Sequence, residues 1–342
     1  MGHPSKDRVT TRQSISLGHD CAGIEAPLHA LDLCEVSYRH VFSSEINDHA
    51  LSYIRANTQP ETLYRDITER NVKDTPHVNL YIAGFPCQSY SRLNQNQKED
   101  DPRKQVVDSV LEYIEEKKPD CFVLENVRGL LSSNKGKDWQ RITTKLDSMR
   151  HVYVWDWRIL DACEFDCPMS RPRVWIVGLL KTEGVRHIPW PKPIPRTRSC
   201  LDLMDRDLKV DPHLRVSPCY LKHLRVWGVD WEEDEGLIEF NGSSRTFNVY
   251  KDPKVLTRDQ IKQIVRSDVC SAMISHDPGM TYKFKGGIRK TTVSECFRLM
   301  GFEEDKIHLP HLTPLQLKCL IGNSMCVSVL KALLPPLVRI IQ

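Results

Sequence analysis

Five short apolar runs place the strongest limit on what this chain can fold into. The runs are nearly continuous and do not alternate with polar residues, which indicates strands buried on both faces of a sheet. They occupy residues 14–17, 78–84, 120–127, 152–160 and 174–180. Helical patterns lie between the runs, and strands that alternate with helices predict an α/β fold with a mostly parallel sheet.

One helix is well marked between the second and third runs. Asp101 is followed by Pro102, a helix-capping residue and then a proline at the first helical position, and this pair favours a helix start. Pro119 marks the end of the same helix. The apolar residues that fall at helical spacing in this stretch are Val106, Val107, Val110, Leu111 and Ile114.

The chain loses its regular pattern after residue 181. Residues 186–196 hold four prolines, and residues 185–287 show no alternation of strands and helices. We therefore predict a first, larger domain that is interrupted by a smaller one. The predicted parts are a flexible tail at residues 1–13, the larger domain at residues 14–184, the smaller domain at residues 185–288, and a return to the larger domain at residues 289–342.

Two helices are predicted in the last part of the chain. The first covers residues 293–302, and Thr292 and Glu295 are spaced to form a reciprocal capping box at its start. The second covers residues 325–341 and is strongly apolar. Pro335 and Pro336 are expected to kink or break this last helix, because proline cannot donate a backbone hydrogen bond.

Composition excludes some classes of protein. No run of about 18 apolar residues occurs, so no membrane-spanning helix is expected, and the polar first 12 residues are not a secretory signal. The net charge of +3 is compatible with a nucleic-acid partner without requiring one. Twelve scattered cysteines without a C-x-x-C pair favour reduced thiols in an intracellular protein, and no metal site is predicted.

The sequence Gly84-Phe85-Pro86-Cys87-Gln88 follows the second predicted strand. Ligands bind at the carboxyl ends of strands in α/β sheets, so a cysteine at this position is a candidate nucleophile. A cysteine can also be a small buried residue with no chemical role, and this motif by itself leaves both interpretations open.

The sequence Glu125-Asn126-Val127 ends the next predicted strand, so the glutamate should lie near Cys87. A protease cysteine requires an imidazole, whereas a cysteine beside a carboxyl group suits addition to a pyrimidine. Carbon 6 of cytosine becomes electrophilic when the ring atom N3 accepts a proton or a hydrogen bond. Glu125 can supply that bond if burial raises the pKa of its carboxyl group.

These motifs, with three later ones, resemble the DNA cytosine-C5 methyltransferase family. The resemblance covers almost everything outside the middle segment, and the motifs occur in the family's order. The motifs are Phe85-Pro86-Cys87-Gln88, Glu125-Asn126-Val127, Ser170-Arg171-Pro172-Arg173-Val174, the segment at residues 292–302 that is similar to a helix with the pattern R-E-x-x-R-L-x-G-F, and Gly322-Asn323-Ser324.

The resemblance implies a Rossmann-like sheet that uses S-adenosylmethionine, with the smaller domain recognising the target. It also implies roles for three catalytic residues. Cys87 attacks carbon 6, Glu125 contacts N3 and the amino group of the flipped base, and Arg173 contacts the cytosine O2 or supports Glu125.

The same resemblance implies four substrate-binding residues. Gln88 and Ser91 belong to a mobile loop that closes over DNA, and Asn126 shapes the loop around the base. Arg171 helps to hold the site or its backbone, although it can equally be a structural ion-pair partner. Arg298 and Glu295 are expected mainly to brace the helix that links the two domains.

The cofactor half departs from the family's first motif, a loop of pattern F-x-G-x-G-G. Here it reads Cys21-Ala22-Gly23-Ile24-Glu25-Ala26, so Cys21 replaces the aromatic residue, and Glu25 and Ala26 replace two glycines. Acidic residues of the second and third motifs are expected to bind the ribose and adenine. The full set of predicted cofactor-binding residues is Cys21, Ala22, Gly23, Ile24, Glu45, Ile46, Asp66, Ile67, Pro86, Asn323 and Ser324.

The resemblance predicts double-stranded DNA as the partner of a monomer without reader domains or a membrane anchor. The expected location is the nucleus in a eukaryote and the cytoplasm otherwise. Two alternatives stay open. A tRNA cytosine-C5 methyltransferase shares the motif series, but the C-F-T tripeptide that is usual in that branch does not occur here. A catalytically silent DNA-binding regulator would not need Cys87, Glu125 and Arg173.

Overall fold

A computed structural model describes the central sheet and most of its connections. The described residues are 14–86, 105–208, 214–216, 218–226, 229, 235–239, 257, 265–273, 280–284 and 287–342. The strands are β1 Ile15–Asp20, β2 Tyr38–Ser44, β3 Thr62–Tyr64, β4 Leu80–Ala83, β5 Cys121–Val127, β6 Tyr153–Asp161, β7 Met169–Ser170, β8 Pro172–Leu180, β9 Gly236–Glu239, β10 Val265–Arg266, β11 Cys270–Ser271, β12 Met280–Phe284 and β13 Gly287–Lys290. The α-helices are α1 Ala26–Leu33, α2 Asp48–Asn57, α3 Gln105–Lys117, α4 Lys137–Ser148, α5 Pro218–Val226, α6 Val293–Leu299, α7 Pro314–Asn323 and α8 Val327–Ile341.

Seven of the described strands form one sheet in the order β3-β2-β1-β4-β5-β8-β6. The pairs from β3 to β5 are parallel, and β8 runs antiparallel to both of its neighbours. The predicted mostly parallel α/β sheet is therefore confirmed. The carboxyl ends of β1, β2, β4 and β5 lie at one edge of this sheet, where α/β proteins bind their ligands.

The first strand is longer than predicted, because β1 continues past Leu17 to Asp20. Gly18 interrupts the apolar pattern, but its position requires the absence of a side chain. A Cβ atom there would lie 2.3 Å from the ring of Phe42 on the neighbouring strand. The polar residues at the end of β1 are also buried. The change from apolar to polar residues in the sequence therefore does not coincide with the end of this strand.

Both faces of the sheet are covered by helices, as the continuous apolar runs predicted. Leu80 and Ile82 of β4 pack into a core that includes residues of α1, α6 and α8. Tyr81 and Ala83 of the same strand point to the other face, into a core that includes α3 and α4. Alternate residues of one strand therefore serve opposite cores, which explains why the strand is apolar throughout.

The capping box at the start of α6 is confirmed. The Glu295 amide donates to the Thr292 hydroxyl oxygen over 3.1 Å, and the Thr292 amide donates to the Glu295 carboxylate over 2.7 Å. The helix ends at Leu299, which is earlier than predicted. The predicted end of α3 is also confirmed, since Lys118 takes a left-handed φ of 50° before Pro119. The predicted start of α3 at Asp101-Pro102 lies outside the described residues.

The prediction that prolines break the last helix is wrong. Helix α8 continues through Pro335 and Pro336 to Ile341. Its buried side chains on both sides of the prolines pack into the same core, and this burial outweighs the loss of two backbone hydrogen bonds. The thiol of Cys34 donates over 3.8 Å to the carbonyl of Lys331, the oxygen that the residue at position 335 would otherwise bind.

The middle segment contributes a second, antiparallel sheet of order β10-β9-β12-β13. Strand β13 crosses the predicted boundary at residue 288. Leu237, Cys270 and Tyr282 of this segment join the same apolar core as β1 and α8. The division into domains stays a prediction, and residues 1–13 lie outside the described part of the chain.

The ten cysteines whose side chains the structure describes are free thiols. Among the described residues, no cluster of three or more His, Cys, Asp or Glu side chains is arranged to hold a metal ion. No single described helix is long and apolar enough to cross a membrane. Helices α7 and α8 have enough apolar residues only when taken together, and they are bent by 42° relative to each other.

Candidate active site

The loop after β4 is tied to the end of β5 by Asn126. The Asn126 side-chain amide donates over 3.0 Å to the carbonyl of Phe85, and its oxygen accepts from the amide of Val127. Asn126 is almost fully buried, so this bond fixes the last described residues before Cys87. Cys87 itself, and Gln88 and Ser91 that follow it, lie outside the described residues.

Glu125 and Arg173 form an ion pair at the same edge of the sheet. Glu125 lies opposite Trp175 in the antiparallel register, so Arg173, two residues away on β8, shares its face. The Arg173 Nε atom is 3.2 Å from a Glu125 carboxylate oxygen, and both side chains are more than four-fifths buried. Burial raises the pKa of Glu125, and the charges of Arg173 and Arg171 oppose that rise. The direction of this shift meets the condition under which Glu125 could supply a hydrogen bond to N3.

Arg171 is buried and contacts the backbone of two other segments. Its guanidinium donates to the carbonyls of Gly322, Ser324 and Met273 over 2.7–3.0 Å. The backbone amide of Arg171 donates over 2.6 Å to the carboxylate of Asp161. Arg171 therefore joins the strand that carries Arg173 to the loop before α8 and to the middle segment.

The loop after β1 is held by backbone contacts to the end of β2. The Gly23 amide donates over 2.7 Å to the carboxylate of Glu45, and the Ala22 amide donates over 3.1 Å to the carbonyl of Ser44. Gly23 has a φ of 56°, a conformation that glycine adopts at little cost. A Cβ atom on Gly23 would meet no atom of the described part of the chain within 4 Å, so these residues leave the space beside this loop open.

The other predicted cofactor residues follow β2 and β3 or precede α8. The Asp66 carboxylate accepts from the amide and hydroxyl of Thr68, and Ile67 is buried, whereas Ile46 is 63% exposed. At the opposite end of the chain, Asn323 ends α7 and is exposed. The remaining members of the set are Cys21 and Pro86, which are half-buried, and Ala22, Ile24 and Ser324, which are buried.

A family model described as C-5 cytosine-specific DNA methylase matches residues 13–339. The chain belongs to this family. The match spans nearly the whole chain, including the middle segment, and it agrees with the resemblance that the motifs indicated.

Curated relatives of this methylase are type II methyltransferases from bacteria. The enzyme M.DsaV of Dactylococcopsis salina is 30% identical over 302 residues, which cover 87% of this chain and 79% of the relative. The enzyme M.Bsp6I of a Bacillus strain is 27% identical over 302 residues, which cover 86% of this chain and 89% of the relative. The methylase is therefore a DNA (cytosine-5-)-methyltransferase.

Solved structures agree with the fold. The Dnmt2 methyltransferase of S. pombe superposes with a TM-score of 0.67 at 19% identity, covering 95% of this chain and 98% of that one. A putative DNA modification methyltransferase encoded within an E. coli prophage gives a TM-score of 0.64 at 18% identity, covering 95% and 99%. These neighbours support the Rossmann-like methyltransferase fold that was predicted.

The sequence motifs did not predict the ion pair between Asp20 and Arg70, which adjoins the loop after β1. Asp20, the last residue of β1, is fully buried and accepts two hydrogen bonds of 2.7–2.8 Å from Arg70 and one of 2.6 Å from the hydroxyl of Tyr81. The Arg70 guanidinium also lies 5.1–5.5 Å from the ring centres of three aromatic residues. The sequence signal was an acidic residue at a strand end, with an arginine shortly after Asp66.

Proposed function

We propose that this methylase transfers a methyl group from S-adenosylmethionine to carbon 5 of cytosine in duplex DNA. The transfer would proceed through a transient bond between Cys87 and carbon 6 of a base that has left the helix. The single observation that carries the proposal is the buried Glu125–Arg173 pair beside the loop that leads to Cys87.

Base extrusion follows from geometry, because carbon 5 and carbon 6 of a stacked cytosine are out of reach of a buried carboxyl group. The pocket for the extruded base is expected at the carboxyl ends of β4 and β5. Glu125 is more than four-fifths buried there, so a base must come to it. The hydrogen bond from Asn126 to Phe85 keeps the approach to Cys87 in a fixed place.

The burial of Glu125 shifts its pKa in the direction that addition requires. A carboxyl group donates a hydrogen bond to N3 only when it carries a proton, and burial raises the pKa of Glu125. Arg173 prevents the pKa from rising further and fixes the carboxyl orientation through its 3.2 Å contact. The pair can therefore stabilise negative charge that develops on the ring when the thiolate adds to carbon 6.

Cys87 acts as a thiolate, forms a bond to carbon 6 and makes carbon 5 nucleophilic. After methylation, a base, which can be water, takes the carbon-5 proton. The electron pair of that bond restores the ring double bond as the cysteine leaves with its electrons. Cysteine is thereby regenerated, and one proton is released for each methyl group transferred.

The residues around the loop after β1 fit S-adenosylmethionine. Open space lies beside Gly23, and the Glu45 and Asp66 carboxylates at the ends of β2 and β3 are suited to ribose hydroxyls and the adenine amino group. Ile46, Ile67 and the loop before α8 supply apolar and backbone surface. When bound, the cofactor supplies an electrophilic methyl group.

Replacing Cys87 by serine tests the nucleophile. We expect methyl transfer to fall to a trace while cofactor affinity stays within about threefold of the original, because Cys87 contacts the base and not the cofactor. Duplex DNA with 5-fluorocytosine at the target should give an adduct that survives denaturant with the unaltered enzyme but not with C87S. If the active enzyme forms no such adduct in the presence of the cofactor, Cys87 does not add to carbon 6 and the proposal fails.

The nucleic acid is tested by transfer of tritium from labelled cofactor to duplex DNA and to tRNA. We expect label in DNA. Label confined to tRNA would support the RNA methyltransferase, and binding of DNA without transfer of label would support the silent regulator. Two curated relatives that cover most of the chain are DNA-modifying type II enzymes, which favours the first outcome.

A further inference from the structure

A closed cluster of polar side chains surrounds Glu25, the residue that replaces a glycine of the family loop. Glu25 is 2% exposed and has a φ of 56°, so a side chain occupies a backbone conformation that favours glycine. His19 Nδ1 lies 2.6 Å from one carboxylate oxygen, and the Ser43 hydroxyl donates over 2.6 Å to the other. His40 Nε2 lies 2.8 Å from the same Ser43 oxygen.

The donors of this cluster can all point toward Glu25. The Ser43 hydroxyl donates its proton to Glu25, so its oxygen is left to accept a proton from His40 Nε2. His19 then donates from Nδ1. The remaining ring nitrogens, His19 Nε2 and His40 Nδ1, are buried without a partner within the described residues. A proton on either would be a buried donor without an acceptor, so one neutral tautomer of each histidine satisfies the cluster.

The cluster is connected to the loop through the backbone. The Glu25 amide donates over 2.9 Å to the carbonyl of Ala22, which closes a tight turn around Gly23. The Gly23 amide in turn donates to Glu45. One end of the turn is therefore held by the Glu25 side chain, and the other is held by the acid that is proposed to bind the ribose.

We propose that Glu25 is a positioning residue for the cofactor: its side chain, held by His19 and Ser43, fixes the loop of residues 21–26 so that the Gly23 amide orients the Glu45 carboxylate. This inference rests on the proposed function, because it assumes that S-adenosylmethionine binds at this loop. Glu25 does not contact the cofactor in this scheme. The hydrogen-bonded side chain of Glu25 restricts the loop to one conformation, where a glycine would leave it free to adopt several.

The test measures binding of S-adenosylmethionine to the full-length protein by calorimetry, without DNA. Glu25→Gln keeps the size of the side chain but removes the charge, and Glu25→Ala removes the cluster's centre. We expect both to weaken the cofactor affinity by about tenfold or more, the effect of losing a charge-assisted hydrogen bond. Glu25→Gly should lose less affinity than Glu25→Ala, because glycine relieves the positive φ.

Ser43→Ala is a milder variant that removes one bond to Glu25, and Ser16→Ala is its matched control. Ser16 lies at the opposite end of β1, and its hydroxyl donates over 2.7 Å to Asn79. Each variant removes a serine hydroxyl that makes two hydrogen bonds in the same sheet. We expect only Ser43→Ala to weaken cofactor affinity. Equal affinities of the two serine variants and of the Glu25 variants with the unaltered protein would overturn the inference.

Hydrogen exchange in the cofactor-free protein gives a second readout. Faster exchange confined to the amides of Ala22 and Gly23 in Glu25→Gln is expected, because the turn loses its anchor. Exchange that rises equally across the whole sheet would assign Glu25 a purely structural role and overturn its role in positioning. If the unaltered protein itself fails to bind S-adenosylmethionine, the proposed function fails; if it binds and the Glu25 variants bind equally well, only this inference fails.

Discussion

At the scale of single residues, the site depends on buried acids whose surroundings differ. Glu125 has one nearby cation at 3.2 Å and a pKa that burial raises. Asp20 is fully buried but accepts bonds from Arg70 and Tyr81. The two carboxyl groups lie toward the carboxyl ends of two strands of the same sheet and each contacts an arginine, but Asp20 also accepts a hydrogen bond from a tyrosine hydroxyl.

Replacing Glu125 by glutamine should lower kcat about 100-fold or more, because the protonated acid no longer assists addition. The same variant should change the pH dependence of stability. A carboxyl group with a raised pKa in the folded state stabilises the fold fully below its unfolded pKa, and this contribution is lost as the pH rises through the folded value. The melting temperature of E125Q relative to the unaltered protein should therefore increase from acidic to alkaline pH. A difference that is constant across this range would contradict the assignment.

His40 gives a pH dependence of the opposite sign. Burial lowers its pKa from the usual 6.5, while Glu25 and Glu61 oppose the shift and His19 adds to it. His40 in the unfolded chain binds a proton at its usual pKa, whereas His40 in the folded chain binds one only at lower pH. The folded state therefore loses stability as the pH falls below about 6.5. Replacing His40 by glutamine should reduce this loss in melts between pH 5 and 7.5. Replacing the exposed His151 by glutamine leaves the burial of His40 unchanged, and the loss should persist.

At the scale of elements, the sequence predicted β4, β5 and β8, which are buried on both faces, and also the partly exposed edge strand β6. Strands β4, β5, β6 and β8 were located within one or two residues, because continuous apolar runs mark them. Strand β2 was missed because Arg39 and His40 interrupt its apolar pattern. Both residues lie in the first part of the strand, which is less buried than the rest. The continuation of α8 through two prolines was not predictable either, since it depends on packing between distant segments.

The packing of α8 makes a specific prediction about stability. Leu337 is fully buried and follows the prolines, whereas Ile340, on the same helix, is 42% exposed. Replacing Leu337 by alanine should cost about 2–5 kcal/mol in the free energy of unfolding, the usual cost of a buried leucine. Replacing Ile340 should cost less than about 1 kcal/mol. Denaturant unfolding of the two variants measures both. Equal costs would mean that the helix is held by something other than its buried face.

At the scale of the whole molecule, the motif order correctly predicted which family the chain belongs to. It did not predict that the middle segment shares a core with the catalytic sheet. Arg171 donates to the carbonyl of Met273, and Arg289 donates over 2.9 Å to the carbonyl of Asp205. Arg298 also contacts the carboxylate of Asp205 over 2.8 Å. These contacts join residues on both sides of the predicted boundaries. They could not be predicted because the partners are far apart in the sequence.

The middle segment is expected to carry target recognition, since every chemical motif lies outside it. Its cationic side chains are suited to phosphates and guanine edges. Those that the structure leaves at least partly exposed include Arg196, Arg198, Arg215 and Arg225. Lys283, which the sequence also suggested, is only 1% exposed and is therefore not available to DNA, and Arg245 and Lys285 lie outside the described residues. Substituting an arginine that reads a base should relax the preference at one position of the site and cost about 1–3 kcal/mol. Substituting a lysine that contacts phosphate should weaken binding to all sequences and reduce the salt dependence.

An exchange of this segment between two family members tests whether target recognition and methyl transfer belong to different parts of the chain. The shared core determines how the exchange must be made. Residues near 205, 237, 270–273 and 289 pack against the catalytic sheet, so a chimaera that keeps them, with strand β9, and exchanges the rest of residues 209–264 should retain its fold and its cofactor affinity. The methylated sequence, read from the DNA of cells that express the chimaera, should become that of the donor enzyme. An active chimaera that still methylates the original sequence would assign recognition to residues outside the exchanged segment.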